Sequence, residues 1–178
     1  MPQQPRGRAG FTLIELMAVL AIAGLAVTLA LPSFRQLILR QQLRTATHAL
    51  FYAIQLTRSE AVRRNRIVQL APLDERDWAQ GWRIYVSAAA TGPYRDGDRV
   101  LLQRQPLPAG IRIDSHTGAP SEIYIAYNGG GRSIRRNRST LAGNWQLHAK
   151  QETRIIIINF QGRARICNPA TDRHCKQK

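Results

Sequence analysis

Residues 11 to 31 hold one ionisable side chain, Glu15, in a run of 21 residues dominated by leucine, alanine, isoleucine and valine. A helix rises about 1.5 Å per residue, so a run of this length covers roughly the 30 Å of a bilayer core. A buried core helix would carry a polar stripe. A secretory signal would have a shorter apolar region, with a small-residue cleavage site after it rather than before it. The run therefore reads as a transmembrane helix over residues 11–32. What remains of the 178 residues is enough for one modest domain.

The formal net charge is +15, and it is unevenly spread. Residues 33 to 128 hold 13 basic and 8 acidic side chains, whereas residues 129 to 178 hold 11 basic and 2 acidic. An imbalance of that size predicts an acidic partner: nucleic acid, anionic lipid or an acidic neighbouring subunit. Of the 26 basic residues 23 are arginine, the side chain suited to bidentate contact with phosphate. The two cysteines, Cys167 and Cys175, lie in a segment that the apolar helix places outside the cytosol, where such a pair reads as a disulfide. A metal site built from both cysteines and His174 would lack Cys-x-x-Cys spacing.

The N-terminus reads Arg6 and Arg8, then Ala9-Gly10, then Phe11-Thr12-Leu13-Ile14-Glu15-Leu16. A basic leader ending in glycine and followed by this hexapeptide resembles the processing site of type IV pilins and type II secretion pseudopilins. The resemblance implies an α+β fold in which a long N-terminal helix, membrane-spanning in its first half, packs on an antiparallel β-sheet head. It also implies that a prepilin peptidase removes residues 1–10 by cutting between Gly10 and Phe11, then methylates the new amine. A carboxylate within the membrane is costly without a partner. Glu15 lies one helical turn from the Phe11 amine of its own chain or of a neighbour, and in pilins that pairing is thought to bring subunits into register. Arg6 and Arg8 favour a cytoplasmic leader, but Arg35, Arg40 and Arg44 flank the other end, so charge alone does not orient the helix. The leader motif does. It implies a single-pass inner-membrane protein with a periplasmic head, carried into a pilus at the cell surface, with other pilin subunits, the peptidase and the inner membrane as partners.

Past Pro32, where a helix can kink and continue, Leu39, Leu43, Ala46, Leu50, Ala53, Thr57 and Ala61 recur at helical spacing. They predict an amphipathic helix over residues 33–66, continuing the first. From residue 67 to 178 the pattern is of short strands punctuated by Gly, Pro, Asn and Asp. Candidates are Ile67 to Ala71, Trp82 to Ser87, Val100 to Arg104, Ile111 to Asp114, Ile123 to Asn128, Trp145 to His148 and Thr153 to Phe160. Ile155 to Ile158 offers no polar face, which predicts a strand buried on both sides or paired centrally. Trp78, Trp82 and Trp145 read as core. The segments Arg58 to Val62, Asp77 to Trp82 and Leu107 to Ile111 resemble the FimT/GspH branch of pilin-like proteins.

No catalytic constellation, metal motif or cofactor-binding motif emerges, which argues against an enzyme. The four histidines are scattered, and Asn128-Gly129-Gly130-Gly131 lacks the Lys-Ser/Thr ending of a phosphate-binding loop, so it reads as a flexible turn. Two basic clusters remain: a glycine-led loop with Arg132, Arg135, Arg136 and Arg138, and a tail with Gly162-Arg163-Ala164-Arg165 followed by Arg173, Lys176 and Lys178. Gly162-Arg163-x-Arg165 resembles the GRxR motif of FimT proteins, minor pilins that bind DNA during natural transformation. Alternation would project Arg163 and Arg165 to one side of an extended segment, and Gly162 would allow a turn or close approach to a phosphate backbone. With no aromatic array or groove-reading helix beside them, these residues predict sequence-independent contact with double-stranded DNA. Two other readings stand beside this one. The first is a structural minor pilin of the FimU kind that primes assembly, and the second a GspH-type pseudopilin of a type II secretion system.

The leader reading predicts that replacing Gly10 by a bulky residue leaves full-length precursor in the membrane. N-terminal sequencing of filament-associated protein should begin at Phe11, and finding Met1 there would overturn the assignment.

Overall fold

The computed structural model describes residues 13–74, 76–87, 92–118 and 123–175, apart from the side chains of residues 26, 27 and 29–33. One helix, α1 (Leu13–Arg64), runs through Pro32 and enters two compact units, residues 1–39 and 40–178. In the first unit every side chain from Leu13 to Leu25 is exposed. Among the described residues no helix is long and apolar enough to cross a membrane. The apolar run read from the sequence is interrupted there by positions whose side chains lie outside the description.

In the second unit the helix buries the predicted stripe. Leu43, Ala46, Leu50, Ala53, Thr57 and Ala61 are all buried, joined by Thr47 and Ile54, while Leu39 is only half-buried. The hydroxyls of Thr47 and Thr57 donate to the carbonyls of Leu43 and Ala53, one turn back, so neither polar group is stranded in the core. At the end of α1, Glu60 accepts from Arg63 and Arg64, each at 2.7 Å. These bonds hold its carboxyl down at about 2.

Among the described residues nine strands follow: β1 (Val68–Pro72), β2 (Trp82–Val86), β3 (Arg99–Arg104), β4 (Ile111–His116), β5 (Ile125–Tyr127), β6 (Ser133–Ile134), β7 (Gly143–Ala149), β8 (Glu152–Ile158) and β9 (Ala164–Cys167). They form two antiparallel sheets, ordered β3-β2-β1-β5-β6 and β4-β7-β8-β9. The chain alternates between them, giving β4 to the second sheet before returning for β5 and β6. One core joins the helix to both: Leu50 and Ile54 of α1, Leu70 and Ile84 of the first sheet, Leu147 and Ile156 of the second. The three tryptophans lie in it at 1% exposure or less. Trp78 is set edge-on to Trp145, with ring centres 6.3 Å apart, an arrangement that adds to area burial. Trp78 starts a short 3₁₀ turn capped by Asp77, whose carboxylate accepts from the Ala79 N–H at 2.8 Å.

The seven predicted strands are present, with their ends shifted by no more than two residues. The sequence reading missed β6, which has two residues, and β9, which alternates too briefly to show a period. The predicted basic tail therefore begins as a paired strand, because β8 needs a neighbour on that edge.

The isoleucine run is covered on both faces. Ile156 and Ile158 enter the helix-side core, and Ile155 lies with Ile157 against Cys167 and Cys175 on the opposite face. Those two cysteines form a disulfide with Cα atoms 5.8 Å apart. On the chain-entropy account, closing so short a loop stabilises the fold by about 2.5 kcal/mol. It also places a buried sulfur pair over apolar surface that would otherwise face water.

Ile156 is fully buried between paired strands. Ile156→Ala should therefore destabilise the head by about 2–5 kcal/mol in urea denaturation. Phe160→Ala, removing a side chain that is 75% exposed, should change stability by no more than about 0.5 kcal/mol.

Candidate nucleic-acid interface

Two turns with the same local sequence lie on the two sheets. Asn128-Gly129-Gly130-Gly131-Arg132 links β5 to β6, and Asn159-Phe160-Gln161-Gly162-Arg163 links β8 to β9. Both follow the pattern Asn-x-x-Gly-Arg, and both are closed by the same hydrogen bonds. Asn128 Oδ1 accepts from the N–H groups of Gly130 and Arg132, each at 3.1 Å. Asn159 Oδ1 accepts from Gln161 at 3.0 Å and from Arg163 at 2.9 Å. In each turn the Asn N–H also donates to the Arg carbonyl, and the Gly N–H donates to the Asn carbonyl. Side-chain bonding of this kind is what makes asparagine a turn residue. The glycine-led segment is thus a hydrogen-bonded turn rather than a loose loop.

The glycines serve the protein's own packing. Gly131 and Gly162 have φ of +70° and +77°, a region that side chains with a Cβ enter at a cost. A Cβ on Gly162 would lie 2.8 Å from both the Gly131 carbonyl oxygen and the Ser133 nitrogen, and 2.9 Å from the Tyr127 ring. The Tyr127 hydroxyl donates to the Gly162 carbonyl at 3.0 Å, and burial pushes that phenol well above its ordinary pKa. A Cβ on Gly131 would meet Arg58 Nε at 3.2 Å. The two turns therefore meet glycine to glycine above Tyr127 and Arg58. Of the two roles expected for Gly162, the turn is present, and the close approach at this glycine is to the chain's own backbone.

This meeting joins two basic clusters that are 31 residues apart in sequence. Arg132 and Arg163 follow the touching glycines, and both are exposed. Phe160, on the same turn as Arg163, adds a single exposed ring. The repeated Asn-x-x-Gly-Arg pattern was the signal that would have paired the two arginines in advance.

The other predicted contacts separate by environment. Arg165, exposed on β9, is braced on the disulfide loop, donating to the His174 carbonyl at 3.1 Å and reaching the Asp172 carboxylate at 3.5 Å. Arg163 ends the turn and Arg165 lies in β9; both are exposed, with the half-buried Ala164 between them. Arg173 is exposed on the same loop, and Arg138 is exposed beyond β6. Arg135 is half-buried and donates to the Thr117 carbonyl at 2.8 Å, so it ties loops together and is not available as a surface contact. Arg136 points to a different part of the head, lining a cavity on the first sheet. Lys176, Lys178, Gly10 and Phe11 lie outside the described residues. Glu15 is exposed in the first turn of α1, where a negative charge complements the helix dipole.

The segments that carried the family resemblance have local physical roles. In the stretch Arg58 to Val62, Arg58 and Val62 meet Gly131, Glu60 pairs with Arg63 and Arg64, and Ala61 is fully buried.

Comparison with known proteins gives a consistent picture. The family described as type II transport protein GspH matches residues 46–162, and the prokaryotic N-terminal methylation motif matches residues 5–31. The pilin-like protein PilA1 of Thermus thermophilus is 33% identical over 165 residues, covering 89% of this chain and 98% of that protein. The type IV minor pilin FimU of Pseudomonas aeruginosa superposes with a TM-score of 0.59 at 19% identity, over 74% of this chain and 92% of that one. The minor pseudopilin EpsH of the Vibrio cholerae type 2 secretion system gives 0.50 at 11% identity, over 72% and 98%. The GspH match ends at Gly162, so Arg163, Arg165 and the disulfide loop lie beyond it.

Gly162→Ala should lower stability by about 1–3 kcal/mol, because the added carbon meets backbone while φ stays positive. Gly130→Ala, whose added carbon would meet only the Asn128 side chain at 3.4 Å, should leave the urea midpoint close to wild type. Equal midpoints for the two variants would show that the glycine contact does not hold the turns together.

Proposed function

The chain belongs to the GspH family, and on that premise we propose that it is a non-enzymatic minor pilin that binds double-stranded DNA through the paired-turn corner, for DNA uptake in natural transformation. The observation that carries this reading is the contact of Gly131 with Gly162, which sets Arg132 and Arg163 at one exposed corner beside Phe160. Two arginines held by rigid turns lose little conformational freedom on meeting phosphate, and Arg165 and Arg173 extend the positive surface across the disulfide loop. The Arg165–Asp172 contact is solvent-exposed, and such pairs stabilise weakly, so phosphate can displace it at little cost. Contact is with the sugar–phosphate backbone and carries little sequence preference. Phe160 supplies apolar contact to sugar or base.

The N-terminal part supports anchoring. A helix with apolar side chains exposed on every side from Leu13 to Leu25 is stable in lipid or against other subunits, not in water. In this reading the peptidase cleaves after Gly10, residues 11–32 span the inner membrane, Glu15 meets a neighbouring Phe11 amine during assembly, and the head is periplasmic until it enters the pilus.

A second reading, a structural minor pilin that primes assembly without binding DNA, is favoured by the fold likeness to FimU. The fold likeness to EpsH favours the corresponding role in a type II secretion system. In either case the arginine corner would face acidic neighbouring subunits.

Mobility shift with a chain lacking residues 1–32 separates these readings. Wild type should bind unrelated duplexes with similar affinity, and log affinity should fall against log salt with a slope of about −3 to −4 if about four phosphates are neutralised. Changing Arg132 and Arg163 together to Gln should flatten that slope by about two units, and Arg165→Gln by about one or less. Lys in place of Arg163 should rescue in part, keeping the charge and losing the fork. No binding by wild type, or unchanged binding by the double variant, would move the assignment to an assembly role.

A further inference from the structure

Of the six asparagines in the chain, Asn128 alone is followed by glycine. Packing against the end of α1 demands that glycine. A Cβ on Gly129 would fall on the Asn65 side-chain oxygen and lie 3.0 Å from the Asn65 Cα. Asn65 itself follows the last residue of α1 with φ of +47°, the left-handed conformation that stops a helix. The helix end thus fixes glycine after Asn128. Glycine is also the residue whose nitrogen most easily reaches a preceding side-chain amide, because no Cβ restricts its backbone.

The turn holds that amide ready for attack. Asn128 Oδ1 accepts from the N–H groups of Gly130 and Arg132, and two such donors stabilise the negative charge that builds on this oxygen as a nucleophile adds to Cγ. The Gly129 N–H has no hydrogen-bond partner among the described residues, so water can take its proton. Asn159 has the same pair of donors, from Gln161 and Arg163, but its neighbour is Phe160, whose Cβ confines the backbone. The two turns share their hydrogen bonds and differ at the nucleophile.

We propose that Asn128 is a site of spontaneous deamidation, for which the chain supplies the nucleophile and water is the co-reactant. The Gly129 nitrogen gives its proton to solvent and bonds to Cγ of Asn128. The Cγ–Nδ2 bond breaks, and Nδ2 takes a proton from solvent and leaves as ammonia. Water then opens the cyclic imide: breaking the Gly129 nitrogen bond to Cγ gives aspartate, and breaking its bond to the Asn128 carbonyl carbon gives isoaspartate. A water is consumed, an ammonia is released, and nothing is oxidised or reduced. Aspartate at position 128 keeps an oxygen for the Gly130 and Arg132 N–H groups, as charge-assisted bonds, whereas isoaspartate adds a carbon to the backbone and breaks that match. Either product sets a negative charge on the turn that carries Arg132. The modification does not depend on the DNA reading, but its effect on DNA rests on it.

Incubation of the full-length chain in detergent micelles and mildly alkaline buffer, followed by peptide mass mapping, tests the proposal. The peptide holding Asn128 should gain about one mass unit and split into aspartyl and isoaspartyl forms. Its rate should be about tenfold or more above that at Asn159. Phe160→Gly, which alters an exposed side chain, should bring the rate at Asn159 to within about threefold of that at Asn128. The folded chain should react at Asn128 within about tenfold of the same chain in urea. Equal wild-type rates at Asn128 and Asn159, no gain at Asn159 in the Phe160→Gly chain, or an Asn128 that reacts only in urea would overturn the proposal. In the mobility-shift assay, Asn128→Asp should flatten the salt slope by about one unit. A wild-type chain that deamidates at Asn128 and binds no DNA would remove the DNA reading and leave the modification standing.

Discussion

Four consecutive isoleucines in β8 leave neither face of that strand fit for water, and much of the head follows from covering both. Ile156 and Ile158 face the core shared with α1, while Ile155 and Ile157 need cover on the other side. The cover is the Cys167–Cys175 disulfide, and reaching it requires the chain to turn back after Ile158 and pair as β9. That return is the Asn159–Arg163 turn. The position of Arg163 is thus a consequence of burying β8, through the five-residue turn that lets β9 run antiparallel to it.

The same turn connects the two sheets. Gly162 seats against the Gly131 carbonyl with no room for a side chain of its own, and Tyr127, from the first sheet, donates its hydroxyl to the carbonyl of Gly162. A backbone contact of this closeness fixes the relation of the two turns more tightly than long side chains could. It also explains why the positive charge divides as it does. Arg135 and Arg154 hold loops and strand ends by hydrogen bonds to Thr117 and Asn168, and Arg40, Arg63 and Arg64 pair with glutamates. Arg132, Arg163 and Arg173 stand toward solvent, where charge acts on a partner. A count of arginines in the sequence does not separate these classes, because the separation depends on which backbone carbonyl or carboxylate lies within reach.

The disulfide belongs to this chain of dependence as much as to the environment that allows it to form. In the proposed reading the head is exported, and an oxidising compartment lets the pair close. Once closed, it serves as apolar cover for β8 and as the base on which Arg165 is braced by Asp172 and the His174 carbonyl. A reduced tail would leave Ile155 uncovered and Arg165 without its support.

The sequence by itself determined the class of the protein and the outline of its fold. The Gly10-Phe11 junction and the apolar run after it carry their meaning in local order. So does the stripe from Leu43 to Ala61, whose period is that of the helix it forms, and so do the strands long enough to alternate or to be wholly apolar. Family membership confirms the class, and the buried stripe and the isoleucine strand confirm the outline. Short elements were not legible, because the two residues of β6 and the four of β9 hold no period and exist only through their partners. The candidate site was legible as a list of arginines but not as a site. Arg132 and Arg163 come together through a Gly131–Gly162 contact between segments on different sheets, Arg135 is withdrawn by a carbonyl 18 residues away, and Arg136 is sent to a cavity that Arg83 shares. Those outcomes depend on long-range packing, which brings distant backbone to within hydrogen-bond distance and so was decided only by the tertiary structure.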